Sequence, residues 1–153
     1  LLADGLQLPF AAGSLDMIYI QHVLHHIGDV TRALSEVRRC LRPGGVLFLV
    51  ETVEDNPIIR WGRRLYPSWL GDEINAPFTF AGLATQVADN GFRVQRAGQY
   101  SVLFWLWEIM PDQFPPLEKL TPYMVPVERA LQKTVRRLGA HCYLVAEKES
   151  LGR

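Results

Sequence analysis

Val46 to Val50 reads Val-Leu-Phe-Leu-Val without interruption, directly after Arg42-Pro43-Gly44-Gly45. A run of that length with no polar alternation suits a strand covered on both faces, which is the condition of a parallel sheet flanked by helices. Upstream, Val30, Ala33, Leu34, Val37 and Leu41 recur at the spacing of one helical face, with Asp29 placed to cap the start and Pro43-Gly44-Gly45 to stop the end. Before that lies a second β-rich run, Asp16 to Ile20, after the turn residues Ala12-Gly13-Ser14. Strand, helix, strand in this order predicts a right-handed crossover joining two parallel neighbours.

Beyond Val53 the pattern is interrupted twice. Residues 54–78 carry prolines and mixed charge, and Asn56-Pro57 is placed to open a short helix whose face would be Ile58, Trp61, Leu65 and Trp69. A helix follows over 79–90, with Leu83 and Val87 inward and Gly91 as its left-handed cap. Phe92 to Tyr100 alternates as a half-exposed strand, Phe92, Val94 and Tyr100 against Arg93 and Gln95. Residues 101–138 form a second insertion, ending in a helix with Val127, Leu131, Val135 and Leu138 inward, and Ala140 to Glu147 is a closing strand.

Sixteen basic side chains balance sixteen acidic ones over 153 residues, which argues against binding driven by neutralising nucleic-acid phosphates. Cys40 and Cys142 match no metal spacing and no disulfide framework, so a reduced, cytoplasmic setting is expected. The apolar stretch 101–110 is about half the roughly 20 residues that cross a bilayer. It is long enough only to lie on one.

Four blocks then agree in order and spacing: Leu2-Ala3-Asp4-Gly5-Leu6-Gln7-Leu8-Pro9-Phe10, Gly13-Ser14-Leu15-Asp16-Met17-Ile18, His22-Val23-Leu24-His25-His26-Ile27-Gly28-Asp29, and Glu36-Val37-Arg38-Arg39-Cys40-Leu41-Arg42-Pro43-Gly44-Gly45. Over residues 1 to about 52 the chain resembles the type-11 branch of class I S-adenosylmethionine-dependent methyltransferases. The resemblance implies an α/β, doubly wound Rossmann-like sheet of order 3-2-1-4-5-7-6. Of that sheet, this chain would hold strands 4 (Asp16–Ile20), 5 (Val46–Val53), 6 (Phe92–Tyr100) and 7 (Ala140–Glu147), a half-sheet 4-5-7-6 with strand 7 antiparallel. Residues 1–153 are accordingly expected to be the C-terminal part of one methyltransferase domain, lacking the glycine-rich cofactor loop, with lid-like insertions at about 54–78 and 101–138. Activity would then belong to the intact domain.

The same resemblance implies S-adenosylmethionine as cofactor, with Asp4 accepting from the adenine amino group, Gly5 and Leu6 beside the ring, and Gln21 and His22 bordering the transferable methyl. The plainer account of Asp4 is a turn-forming Asp-Gly pair. Three of the four histidines fall within five residues, and His22 and His26 are candidates for a general base, since imidazole titrates near neutral pH. For His26 a packing and capping role is the stronger account. No characteristic spacing completes a metal-ligand set around them, so no metal is expected. Glu51, at the end of its strand, would steer a substrate at the rim or simply be solvated.

The expected function is methyl transfer to a small, apolar or amphipathic acceptor. Methyl transfer from a sulfonium gains mainly from proximity and alignment, so no conspicuous catalytic residue is demanded. Trp61, Trp69, Trp105 and Trp107 all fall in the insertions, as core under a cap or as a lining for a lipid-like acceptor. Arg60, Arg63 and Arg64 beside them favour peripheral contact with a membrane surface. The alternative is a catalytically inactive methyltransferase-like partner or scaffold protein. A half-sheet with strand 4 at its edge is also expected to pair with a second copy, as a homodimer, unless another segment covers it.

Overall fold

The computed structural model describes residues 4–57, 60–61, 78–103 and 116–149. The elements, in chain order, are β1 (Leu15–Gln21), α1 (Val30–Cys40), β2 (Leu41–Thr52), α2 (Phe80–Asp89), β3 (Phe92–Tyr100), α3 (Pro116–Thr134) and β4 (His141–Lys148), with 3-10 turns at Leu24–His26 and Arg136–Leu138. The sheet order is β1-β2-β4-β3. β1 and β2 are parallel, and β4 runs antiparallel to both β2 and β3. This is the expected half-sheet 4-5-7-6 with its seventh strand reversed.

The helical caps are those the sequence announces. Asp29 accepts from the Arg32 amide, and Thr79 does the same for the Gly82 amide at the start of α2. Gly91, with φ +80°, ends α2. The side chains facing the helices, Leu47, Leu49, Leu144 and Ala146, join Ala33, Leu34 and Val37 of α1 and Leu83 and Val87 of α2 in one core, with Ile18 and Ile20 packed against it. That apolar burial is the dominant stabilising term for the half-sheet. On the other face of β1, Met17 and Tyr19 are exposed, and Tyr19 packs its ring against Phe48 at 5.2 Å.

Three boundaries differ from expectation. α1 ends at Cys40 and β2 begins at Leu41, before Pro43-Gly44-Gly45 rather than after it. The pairing passes from Leu15–Leu41 to Met17–Val46, so residues 42–45 bulge out of the ladder. In β3 the simple alternation fails because the register shifts between Val94 and Arg96, a bulge at Gln95. The last helix begins at Pro116 and runs through Pro122 and Pro126, and Val127 is exposed rather than inward. Its inward residue is Glu128, which is buried and accepts from the Val102 and Leu103 amides and from Gln132. Of the expected aromatic face 58–69, only Trp61 is described, and it is exposed. The rest of that face, with Arg63, Arg64, Trp105 and Trp107, lies outside the described residues. No described helix is long and apolar enough to cross a membrane.

Candidate functional site

The N-terminal loop is held to α1 by one ion pair. Glu36 and Arg39 bond to each other, and between them accept from the Leu8 amide and donate to the Leu8 and Phe10 carbonyls. The Arg39 guanidinium holds the Glu36 carboxyl below its usual range. Leu8-Pro9-Phe10 and Glu36-x-x-Arg39 are thus two halves of a single contact.

Ahead of that loop, Asp4 makes a tight turn. Its Oδ1 accepts from the Leu6 amide at 2.9 Å, and its carbonyl accepts from Gln7 at 3.0 Å. Turn-former and ligand are compatible roles here, because the second carboxylate oxygen, Oδ2, has no partner among the described residues and Asp4 is exposed. Leu6 packs against the core, and a Cβ on Gly5 would lie 3.0 Å from Cδ1 of Ile27. The turn 4–7 therefore sits beside the end of the histidine segment.

That segment leaves the carboxyl end of β1, where ligands of open α/β sheets bind. Gln21 closes β1, exposed, with its Oε1 accepting from the Tyr19 hydroxyl. His22 follows with φ +51°, a left-handed backbone rare outside glycine and found preferentially at functional turns. Its amide donates to the Val50 carbonyl and its Nδ1 lies 3.2 Å from Oγ1 of Thr52.

Glu51 fixes what comes next. It is fully buried, which overturns the expectation of a solvated or substrate-steering rim residue. Oε1 accepts from the amides of Val23 (2.9 Å) and Leu24 (2.7 Å), and Oε2 accepts from Nδ1 of His25 at 2.6 Å. A carboxylate with three donors is stable inside the protein, where a lone one would not be. Because the carboxylate only accepts, Nδ1 of His25 is the donor in this bond, which in the neutral imidazole leaves the lone pair on Nε2. Nε2 makes no hydrogen bond among the described residues.

Within the five residues the sequence singled out, the three histidines stand in different surroundings. His26, the candidate base and the one expected to pack, is exposed, and its ring lies against His25 at 4.0 Å. His25 is buried and bonds to the Glu51 carboxylate. His141 was missed altogether. It starts β4, pairs with both Thr52 and Tyr100, and sets its ring 5.1 Å from His22 and 5.4 Å from Tyr100. Its sequence distance from His22 hides that contact, which only the strand order reveals.

His22, His25 and Glu51 each offer a metal-ligating atom within 4.8 Å of the others. Three is the ligand number of a catalytic zinc, but two donors each ~2.0–2.1 Å from one tetrahedral zinc stand roughly 3.3 Å apart. Glu51 and His25 are at 2.6 Å. The spacing is that of a hydrogen bond.

Residues 1–49 match the family model described as a methyltransferase domain. Among curated relatives, the squalestatin tetraketide synthase of Phoma sp. (strain C2932) is 38% identical over 60 residues, covering 39% of this chain and 2% of that protein. The hybrid PKS-NRPS synthetase mpsA of Macrophomina phaseolina (strain MS6) is 31% identical over 133 residues, 84% of this chain and 3% of that protein. The chain thus spans only a few hundredths of the length of these relatives. Among solved structures, a SAM-dependent methyltransferase of Thermotoga maritima, described as a possible histamine N-methyltransferase, superposes with a TM-score of 0.68 at 18% identity, covering 96% of this chain and 62% of that one. A geranyl diphosphate methyltransferase in complex with SAM gives 0.60 at 18%, covering 97% and 56%. The fold is that of the Rossmann-like methyltransferases, and residues 1–49 carry the sequence pattern of the methyltransferase domain.

Proposed function

We propose that this chain is the acceptor-handling part of an S-adenosylmethionine-dependent methyltransferase in which His25, held by Glu51, is the general base. The observation that carries the reading is the buried Glu51–His25 pair at the carboxyl end of the parallel strands β1 and β2.

For the cofactor, Asp4 supplies a free acceptor oxygen suited to an adenine amino group. Gln21 and His22 border the same end of the sheet. When bound, S-adenosylmethionine supplies an electrophilic methyl carbon on a sulfonium. Glu51 keeps the His25 imidazole in the tautomer whose Nε2 can take a proton from the acceptor. Nε2 would take the acceptor's proton, leaving the acceptor atom's electron pair free to attack a methyl donor held by Asp4, Gln21 and His22. The strained His22 turn sets the approach, and alignment supplies most of the rate.

The relatives named as ketide and PKS-NRPS synthases favour a ketide as the acceptor class. Such a chain carries enolisable protons next to carbonyls, of the kind an imidazole base can remove. α3 would cover that acceptor.

Calorimetric titration of the full-length protein with S-adenosylmethionine tests the reading, followed by transfer of labelled methyl to a β-ketoacyl thioester. Saturable binding that weakens by about 1–3 kcal/mol in Asp4→Ala, together with label in the thioester, is expected. Absence of binding would leave the fold as that of a catalytically silent partner protein.

A further inference from the structure

Beside the histidine cluster lies a cavity of about 980 Å³. Tyr100 of β3 belongs to its wall, and the Tyr100 ring meets His141, which in turn meets His22. The cavity is therefore two ring contacts from the end of β1. One side is aromatic: Tyr143 lies over Gly98, where any Cβ would stand 2.8 Å from the ring, and Phe80 joins it. The other side is cationic, with Arg129 and Lys133 from α3 and Arg136 and Arg137 from the turn that follows.

The placement of these cations is built into the fold. Buried Glu128 anchors α3 to the amides of residues 102 and 103, Arg129 and Lys133 stand one turn apart on that helix, and Arg136 and Arg137 come from the turn after it ends. Gly139 lets the chain after the turn close on Tyr100, since a Cβ there would be 2.6 Å from the Tyr100 backbone.

None of the four cations forms an ion pair among the described residues. The one carboxylate in the lining, Asp55, is already accepting from the Phe80 amide. Four cations without an acidic partner among the described residues select a multiply charged, oxygen-rich anion. The volume is near the upper end of small-ligand sites and far exceeds a bare oxyanion, so the remainder of the ligand is apolar and lies on the aromatic side.

We propose that this cavity is the acceptor pocket, and that it takes an amphipathic molecule whose anionic end is a phosphate ester held by Arg129, Lys133, Arg136 and Arg137. The inference rests on the methyltransferase reading above and narrows its acceptor to a ketide chain that carries a phosphate ester at its anionic end.

The probe is monomeric n-octyl phosphate, titrated calorimetrically into the full-length protein beside octyl glucoside and inorganic phosphate. Octyl phosphate should bind at least about tenfold more tightly than either comparator, because only it engages both sides. The doubly substituted Lys133→Glu, Arg136→Glu protein should lose that preference to within about twofold, with Lys133→Gln, Arg136→Gln between the two. Both sites are exposed, and an unchanged thermal midpoint would show that the variants fold. Equal affinity for octyl glucoside, indifference to charge reversal, or binding seen only to anionic vesicles and not to the monomer would overturn the proposal. S-adenosylmethionine affinity is read in the same samples. If it holds while octyl phosphate fails, this inference falls alone; if it is absent while octyl phosphate binds, the methyltransferase reading falls and the anion site stands.

Discussion

Glu51 is the residue on which the site turns. It shares the inward parity of Leu47, Leu49 and Val53, all fully buried, so the period-two rule applied to β2 already places it inside. Reading it as a strand end hid that. What the sequence could not show is the set of donors waiting there, because the amides of Val23 and Leu24 and the ring of His25 arrive from 26 to 28 residues away. Glu51→Ala should cost about 3 kcal/mol or more, since it leaves two amides and an imidazole unpaired in the interior, and urea denaturation would measure it. A loss below about 1 kcal/mol would mean that water replaces the carboxylate. Cys142, which pairs with Glu51 across the ladder, gives a pH signature. Burial pushes its thiol from the ordinary 9.0 up to about 12. Its native state holds a proton that the unfolded chain releases, so stability falls as pH rises from about 9 towards 12, by about 1.4 kcal/mol per unit. Burial also lowers the Lys148 ammonium, whose contribution has the opposite sign over part of that range. Comparing wild type with Cys142→Ala isolates the thiol: the variant should lose stability less steeply above pH 9.

At the scale of elements, caps and periodicity located α1, α2 and all four strands, because each depends on neighbours in sequence. Bulges escaped. The 42–45 segment looked like a helix stop, yet its glycines serve the ladder: a Cβ on Gly45 would stand 2.9 Å from the Arg42 carbonyl and 3.2 Å from that of Asp16. Backbone on two sides cannot yield, so Gly45→Ala should cost about 1–3 kcal/mol by thermal melting and loosen the β1–β2 pairing. A neutral result would show that the loop relaxes freely. α3 was misread for a related reason. Val127 follows the helical period, but the helix is tied down through Glu128, a polar anchor that apolar periodicity cannot register.

For the whole molecule, the strand order gathers what the sequence scatters. β1, β2, β4 and β3 bring His22, Thr52, His141 and Tyr100 into a row across one end of the sheet, with the Glu51–His25 pair behind it and the cationic cavity beside it. Histidines clustered in sequence mark the neighbourhood; only topology separates buried His25, paired with Glu51, from its exposed neighbour. The central claim is that His25, not His26, accepts the proton, and the most direct measurement is kcat for methyl transfer by the full-length protein in two variants. His25→Gln keeps a donor for Glu51 but has no base, and should lower kcat by about 10²–10⁴ with S-adenosylmethionine affinity unchanged, whereas His26→Gln should change it by less than about threefold. Near wild-type turnover in His25→Gln, or its loss in His26→Gln alone, would contradict the account.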